Sequence, residues 1–565
     1  MIKQILRTQS EIDLFLEKLV NSELIAVDKE TTFFSKEKFS CQHLNLEWIW
    51  LYSWTIWGYI IHSEWLDYWW LDQILHSCKI ITHNGLFDIQ ILLRLGIISE
   101  LSTLQLEDTK ILSFLNNENR QTHGLKYLAE NILWKTNVVK LNEVWEKPEQ
   151  DILEWENKIS SYCIDDCINT FELYNYFQNN TDKQILEAYN KIEVPLMKVL
   201  IEIANTWISL NINYLKEVWD KVNDKLLELQ IEIYRHIWWV IDLSNTTQIR
   251  DVLMWEFSKK DISIQKDLKV AQMIDYWLRN DLRIAFLIKE YRKFLKLEST
   301  YIDSLISKTI KWKLYPVISQ VATVTWRLSC SSPNLLWIPT RDDEYNIRKA
   351  FISEKWKSFI IADLNQAELR ILTHFSQEPL LIDSLIKWED IHQITADTLW
   401  ITRQQAKVVT FWILYWMTEY WLSEKLGIKK EEAKKMIEDY FIKFPKVKEL
   451  ISTLIKLARD RWFIKTISWR RRHFSEESNE NQVLNSLIQG SVADLMKIIM
   501  IDIQKEINRY WASILLQIHD ELIIECPDEK IDEVKGIIDY KIKNSFTFTY
   551  VNIENSLKVS KYWIK

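Results

Sequence analysis

At 565 residues, with 71 Lys and Arg against 79 Asp and Glu and a formal net charge of −8, the chain is long enough for roughly three or four domains of about 150 residues, which excludes a small module. No apolar run reaches the roughly 18 to 20 residues of a membrane span, and the start, MIKQILRTQSEIDLF, lacks a signal peptide's apolar core, so a soluble cytoplasmic chain with no membrane partner is expected. The six cysteines (Cys41, Cys78, Cys163, Cys167, Cys330, Cys526) show no CxxC spacing, which argues against a disulfide framework or a zinc site. The acidic balance argues only weakly against nucleic acid, because carboxylates that hold metal ions make an enzyme negative at its centre while local runs such as SWRRRH stay basic.

To about residue 180, short apolar strands (ELIAVD, KIITHN) alternate with helical stretches such as LKYLAENIL, an α/β pattern. IAVDKETT places Asp28 and Glu30 at a strand end, two apart and so on one face, where they can share a metal ion. THNGLFD adds Asn84 and Asp88, and YCIDDC adds Tyr162 and Asp166 four apart on a predicted helix. Taken singly, each of these also fits a solvated strand end or helix surface. Long helical patterns such as NDKLLELQIEIYRHI fill about 185 to 310. Beyond them, SFIIADLNQ ends an apolar strand at Asp363 and SILLQIHDELIIEC places Asp520 at a turn between two apolar strands. Between these, RQQAKVVTFWILYWM spaces Arg403, Lys407, Phe411 and Tyr415 four apart along one helix face. Such a stripe can hold a triphosphate at one end and stack on a base at the other; a surface helix with two solvated charges and two core aromatics has the same pattern.

In their order, Asp28, Glu30, Asn84, Asp88, Tyr162 and Asp166, with HGLKYLA from His123, resemble the DEDDy group of 3'-5' exonucleases. The resemblance implies that Asp28, Glu30, Asp88 and Asp166 hold two divalent ions about 3.5 to 4 Å apart while the Tyr162 hydroxyl orients the attacking water. Lys29 departs from the usual small residue between the two acids, which bears on rate. The later segments resemble the family A DNA polymerases: motif A over Asp363 to Arg370, motif C at His519, Asp520 and Glu521, and motif B, RxxxKxxxFGxxYG, with Trp412 and Trp416 in place of both glycines. TVTWRLSCSSPNLLWIP, DIHQITA, FPKVK, SWRRR and NSLIQGSVAD match further family patterns, and the resemblance runs from Ile25 nearly to the end.

The resemblance implies a ribonuclease H-like α/β exonuclease domain over 1–180 and an α+β right-hand polymerase domain over 185–565, with thumb about 185–310, palm and fingers about 311–565, and fingers about 378–445. It implies template-directed addition of dNTPs to a primer 3'-hydroxyl with proofreading, in replication or repair, by a monomer acting on primer-template DNA; a processivity factor stays open. By resemblance Asp363 and Asp520 hold two Mg²⁺, with Mn²⁺ as a substitute; Arg403 and Lys407 neutralise the phosphates, and Lys407 is a candidate proton donor to pyrophosphate. Phe411, Tyr415, Glu368 and Gln366 line the nucleotide, with Glu368 filling the space of a ribose 2'-hydroxyl. Arg327, Asn334, Asn485, Gln489, His519, Arg470 and Arg471 contact DNA. Asn481 stands where many members carry Arg, which weakens one template contact, and no 5'-nuclease domain is expected. Two rival readings are a single-subunit RNA polymerase-like enzyme, opposed by Glu368, Phe411 and the exonuclease set, and a silent DNA-binding remnant, opposed by retention of every metal-binding acid.

One feature of composition is anomalous. Gly 7 and Trp 29 together make about 6% of the chain, close to the roughly 7% ordinary for glycine alone. Where the family patterns call for glycine, this chain has Trp134, Trp207, Trp312, Trp326, Trp400, Trp412, Trp416, Trp462 and Trp469. Glycine serves such places through positive φ or close backbone approach, and an indole brings about 150 to 250 Å² of surface instead. The pattern leads to the expectation that the gene uses UGA for glycine and has been translated as though UGA meant tryptophan, some tryptophans being genuine. The other reading is a Trp-rich chain that has rebuilt each glycine turn.

Overall fold

The computed structural model describes residues 5–31, 46–53, 56–61, 66–136, 138–139, 152–259, 269–278, 283–340, 344–387, 389–415, 418–476, 478 and 480–564. They form two compact units, one of Met1–Thr206, Val317–Cys330 and Ile360–Val559, the other of Trp207–Pro316, Ser331–Phe359 and Ser560–Lys565.

The first unit holds a six-stranded sheet of β1 (Ile5–Leu6), β2 (Leu24–Thr31), β3 (Leu46–Ser53), β4 (Ile56–Ile61), β5 (Lys79–Thr82) and β6 (Gln105–Asp108), ordered β1-β4-β3-β2-β5-β6. β2 lies antiparallel to β3 and parallel to β5, and Ile25, Ile49, Ile80 and Ile81 are buried at its centre. β-Branched side chains suit such a pleated, doubly covered layer. Pairing of β2 with β5 stops at Ala26 opposite Ile81, whereas pairing with β3 continues through Asp28, Lys29 and Glu30. The acidic end of β2 therefore projects past β5, beside the turn that starts the helix Gly85–Arg94. The 29-residue helix Ile152–Asn180 packs along β2 and β3, with Phe171 edge-on to Tyr52 at 5.5 Å.

The same unit holds most of a four-stranded sheet ordered Ser513–Ile518, Glu521–Pro527, Lys357–Leu364, Asn555–Ser560. Helix Asn481–Ile507 is buried on nearly every side from Val483 to Ile507, the polar Gln489, Asp494 and Lys497 included. Helices Ile391–Leu399, Arg403–Tyr415, Glu419–Leu426 and Lys430–Lys443 form a group of neighbours, and Arg403–Tyr415 also packs on helix Asn481–Ile507.

Helical periodicity groups residues 185–206 with the long helices that follow, but the structure packs them in the first unit. The Gln90 side-chain amide donates to the Ala204 carbonyl at 3.1 Å, and the Tyr189 hydroxyl accepts from the Asp108 N–H at 2.7 Å. Periodicity shows that a stripe such as Leu196, Leu200 and Ile203 will be buried; it does not show against what.

In the second unit, helix Ile212–Ile237 buries Leu215, Val218, Val222, Leu226, Leu229, Ile233 and Ile237, a three-four spacing that makes one continuous stripe, against helix Arg283–Lys296. Asn211 caps it by accepting from the Tyr214 N–H at 3.0 Å. No helix among the described residues is long and apolar enough to cross a membrane. Cys78, Cys163, Cys167, Cys330 and Cys526 are buried, while Cys41 lies outside the described residues.

Candidate active sites

At the first acid cluster, Asn84 adopts φ 92° and opens the helix that carries Asp88. Asp108, at the end of β6, holds this turn: one carboxylate oxygen accepts from the Asn84 and Gly85 N–H groups at 2.9 and 2.6 Å, the other from Ile111 at 2.9 Å. Glycine is required at 85, where a Cβ would lie 2.2 Å from the Thr82 hydroxyl. Asp28, Asp88 and Asp166 converge on the buried Cys167, whose thiol is pushed up by burial and then by those three carboxylates. The Tyr162 hydroxyl reaches Asp166 one helical turn away.

Two lysines enter this cluster. The Lys29 ammonium is fully buried, 3.8 Å from the Asp88 carboxylate and 3.5 Å above the Phe87 ring. Lys126 pairs with Asp166 and lies 3.8 Å above the Tyr162 ring. Burial raises the carboxyls of Asp88 and Asp166, and Lys29 and Lys126 respectively oppose that rise. As they stand, no three His, Cys, Asp or Glu side chains among the described residues close to metal-holding distance, and the Glu30 side chain lies outside the description. Asp108, Lys110 (3.1 Å from the Asn84 amide oxygen) and Lys126 were not marked from sequence. Asp108 ends an apolar strand as Asp28 does, and that signal could have found it.

At the second cluster, Asp363 lies near the end of its strand and Asp520 in the turn joining Ser513–Ile518 to Glu521–Pro527. A backbone bond from Leu364 N–H to the Asp520 carbonyl, 3.0 Å, fixes the two segments side by side. One Asp520 carboxylate oxygen is buried without a hydrogen-bond partner, and its carboxyl is pushed up to about 6 by burial first, then by Glu368 and Asp363, with Arg327 opposing. Arg327 pairs with Glu368 at 2.7 Å, so two residues marked for separate contacts meet each other here. Arg327, His519 and Asp520 line one narrow cleft with Met496, Lys497 and Gln517. Gln366 caps the following helix with φ 54°, Asn485 is half-buried and Gln489 buried on helix Asn481–Ile507, and Asn334 accepts from the Leu336 N–H in the second unit.

On helix Arg403–Tyr415, Arg403 pairs with Asp390 at 2.6 Å, while His392 contacts the Thr410 hydroxyl at 3.3 Å. Burial holds His392 below the ordinary imidazole value, and the nearby Arg403 and Lys407 charges push the same way. His392 thus stands beside the Arg403 and Lys407 charges, a neighbour that sequence reading did not mark although it lies within DIHQITA. The side chains of Phe411 and Tyr415, and all of Trp416, lie outside the described residues. Arg470, expected to contact DNA, is wholly buried and paired with Glu193 and Asp494. Arg471 keeps partial exposure while pairing with Asp182.

The six-stranded and four-stranded sheets each carry acids at strand ends, and helix Arg403–Tyr415 carries Arg403 and Lys407. A family model described as DNA polymerase family A matches residues 212–565, and one described as 3'-5' exonuclease matches residues 3–182. The chain belongs to DNA polymerase family A. DNA polymerase I of Borreliella burgdorferi is 32% identical over 98% of this chain and 64% of its own length; the thermostable DNA polymerase I of Thermus aquaticus is 31% identical over 68% of this chain and 49% of its own. The chain therefore spans less than two thirds of these relatives. The fold is shared with the POL domain of Pol1 from M. smegmatis, in complex with DNA primer-template and dNTP, at a TM-score of 0.86, 21% identity and 99% coverage of both chains.

Proposed function

We propose that the chain adds dNTPs to the 3'-hydroxyl of a primer on a DNA template and removes mispaired ends at the N-terminal acid cluster. The observation that carries the first half is the Asp363–Asp520 pair: two strand-end acids locked side by side, one with a buried carboxylate oxygen lacking a partner. Such an oxygen fits a divalent cation, because desolvating an anionic acceptor without compensation is costly. Asp363 and Asp520 would hold Mg²⁺ or Mn²⁺ there, and Asp28, Glu30, Asp88 and Asp166 would do so at the other cluster. When bound, the ions supply Lewis-acid activation of the attacking oxygen and neutralise developing phosphate charge. Arg403, Lys407 and His392 would bind the triphosphate, Lys407 offering a proton to the departing pyrophosphate. Glu368, held by Arg327, would block the 2'-position of the incoming sugar. Asn485, Gln489, His519, Asn334 and Arg471 would hold primer and template, and Tyr162 would orient water at the editing cluster.

The test is extension of a labelled primer with dNTPs or NTPs, alongside degradation of its 3' end. Asp28→Ala combined with Glu30→Ala is expected to abolish degradation and leave extension; undiminished degradation would overturn the editing role. Extension with NTPs alone would favour the RNA polymerase reading, and no synthesis by the protein purified from its source cells would sink both.

Lys29 sets a further expectation. One unit charge about 4 Å away is worth roughly 4 kcal/mol at an effective dielectric near 20, so Lys29→Thr should tighten Mn²⁺ binding at the editing cluster by about tenfold or more. Electron paramagnetic resonance of free Mn²⁺, in a chain also carrying Asp363→Ala and Asp520→Ala, measures this directly. Equal or weaker binding would mean that Lys29 does not compete for Asp88.

A further inference from the structure

Fifteen non-glycine residues among those described have φ in the left-handed region, and nine of them are tryptophan: Trp134, Trp238, Trp312, Trp326, Trp356, Trp400, Trp462, Trp469 and Trp511, with φ from 55° to 68°. Tryptophan is 29 of 565 residues, so its share by composition would be about one of the fifteen. Bulky L-residues avoid this conformation because Cβ crowds the following carbonyl, whereas glycine adopts it freely. We infer that these nine positions are glycine in the protein the source cell makes. The inference does not rest on the proposed activity.

Helix ends supply the sharpest comparison. Helix Glu419–Leu426 stops at a true glycine, Gly427, with φ 66°; its N–H and that of Ile428 both donate to the Ser423 carbonyl. Helix Ile391–Leu399 stops at Trp400, with φ 55°; its N–H and that of Ile401 both donate to the Ala396 carbonyl. The two ends have one hydrogen-bond pattern, that of a helix closed by a left-handed residue, where glycine is the usual choice. Trp238 and Trp462 close helices Ile212–Ile237 and Pro445–Arg461 in the same conformation. No packing rewards the indoles at several of these sites: Trp400 is 94% and Trp238 87% exposed.

Trp326 is the exception in burial and the position nearest the chemistry. It is 1% exposed, follows a turn closed by a 3.0 Å bond from its N–H to the Thr323 carbonyl, and stands directly before Arg327. Its indole presses edge-on to Phe114 at 4.8 Å, yet its indole N–H is buried with no hydrogen-bond partner, which a native buried tryptophan ordinarily has. With glycine there, the cleft beside Asp520 and Lys497 opens on that side.

Backbone conformation also sorts the remaining tryptophans. Trp238, Trp356 and Trp511 join the set although no motif marks them, while Trp207 and Trp412 have no positive φ and rest on the family pattern alone. Trp563 is assigned as a genuine tryptophan: its φ is not positive, it is fully buried, it lies edge-on to Phe351 at 5.3 Å, and the Arg348 guanidinium sits 4.1 Å from its ring.

The decisive experiment is to read the gene and to sequence, by mass spectrometry, peptides of the protein from its source cells. UGA codons and glycine residues at the nine positions, with UGG and tryptophan at 563, are expected. UGG at most of the nine, or UGA at 563, would overturn the assignment. A physical measurement gives an independent reading: the chain carrying glycine at all nine should unfold at a higher denaturant concentration than the chain as written. An equal or lower midpoint would show that the indoles are accommodated and count against the inference.

Discussion

Asp363→Ala and Asp520→Ala should each abolish primer extension while 3'-end degradation continues, because the two acid clusters stand on different sheets of the chain. Cation-based charge stabilisation is worth several kcal/mol, and each 1.36 kcal/mol is tenfold in rate, so the loss should be on the order of a thousandfold or more. The substitution Asp520→Asn separates chemistry from stability. Burial and two acidic neighbours raise the Asp520 carboxyl from 3.8 to about 6 in the folded chain. Between those pH values the folded state binds the proton that the unfolded state has released, so stability falls as pH rises through the window, and the cost is fully present above about 6. Asparagine carries no such cost. In chelator at neutral pH, Asp520→Asn should therefore be more stable than the parent by about 1 to 3 kcal/mol, and the advantage should vanish below about pH 4. Denaturant unfolding at pH 7 and pH 4 measures both limbs. A variant less stable at pH 7, or one that still extends primers at the parental rate, would remove Asp520 from the proposed role.

The acids were legible because apolar strands that end in a carboxylate announce themselves one strand at a time, and IAVD, IIAD and IHDE all do so. What binds them was not. Asp108 holds the Asn84 turn across 24 residues, and Lys126 reaches Asp166 across 40; neither partner is implied by its local pattern. Arg470 shows the same limit from the other side. SWRRR reads as a basic surface run, but Glu193, which draws Arg470 inward, lies 277 residues earlier. Its neighbour Arg472 is likewise turned to Glu118 at 2.7 Å, which also accepts from His473 at 2.9 Å. The glycine positions were legible only where a motif names them. Trp238, Trp356 and Trp511 needed the backbone angle.

Arg470→Met should be among the most destabilising single changes in the chain. Glu193, Asp494, Arg470 and Lys497 form a closed set of two acidic and two basic side chains, each at most 2% exposed; burial and then the Arg470 charge hold the Lys497 ammonium well below the ordinary lysine value, Asp494 opposing, so loss of Arg470 favours its protonation. Lys497 also binds Glu193 at 2.7 Å, Gln320 donates to Glu193, and Thr466 and Ser468 donate to Asp494. Removing one cation leaves a net negative charge with no water to reach it, a loss of about 3 to 5 kcal/mol where buried pairs have been broken elsewhere. That is a large part of a typical stability of about 5 to 15 kcal/mol. The set joins the hairpin Phe463–Lys465 and Arg471–His473 to helix Asn481–Ile507, whose Lys497 lines the cleft beside His519 and Asp520, so the same change should also slow extension. Charge balance, rather than lost packing, makes a separable prediction: adding Asp494→Asn to Arg470→Met leaves Glu193 and Lys497 as a neutral pair and should restore part of the stability. Denaturant unfolding of the parent, single and double variants decides between the causes. A double variant as unstable as the sum of the two single changes would assign the loss to packing and refute the charge argument.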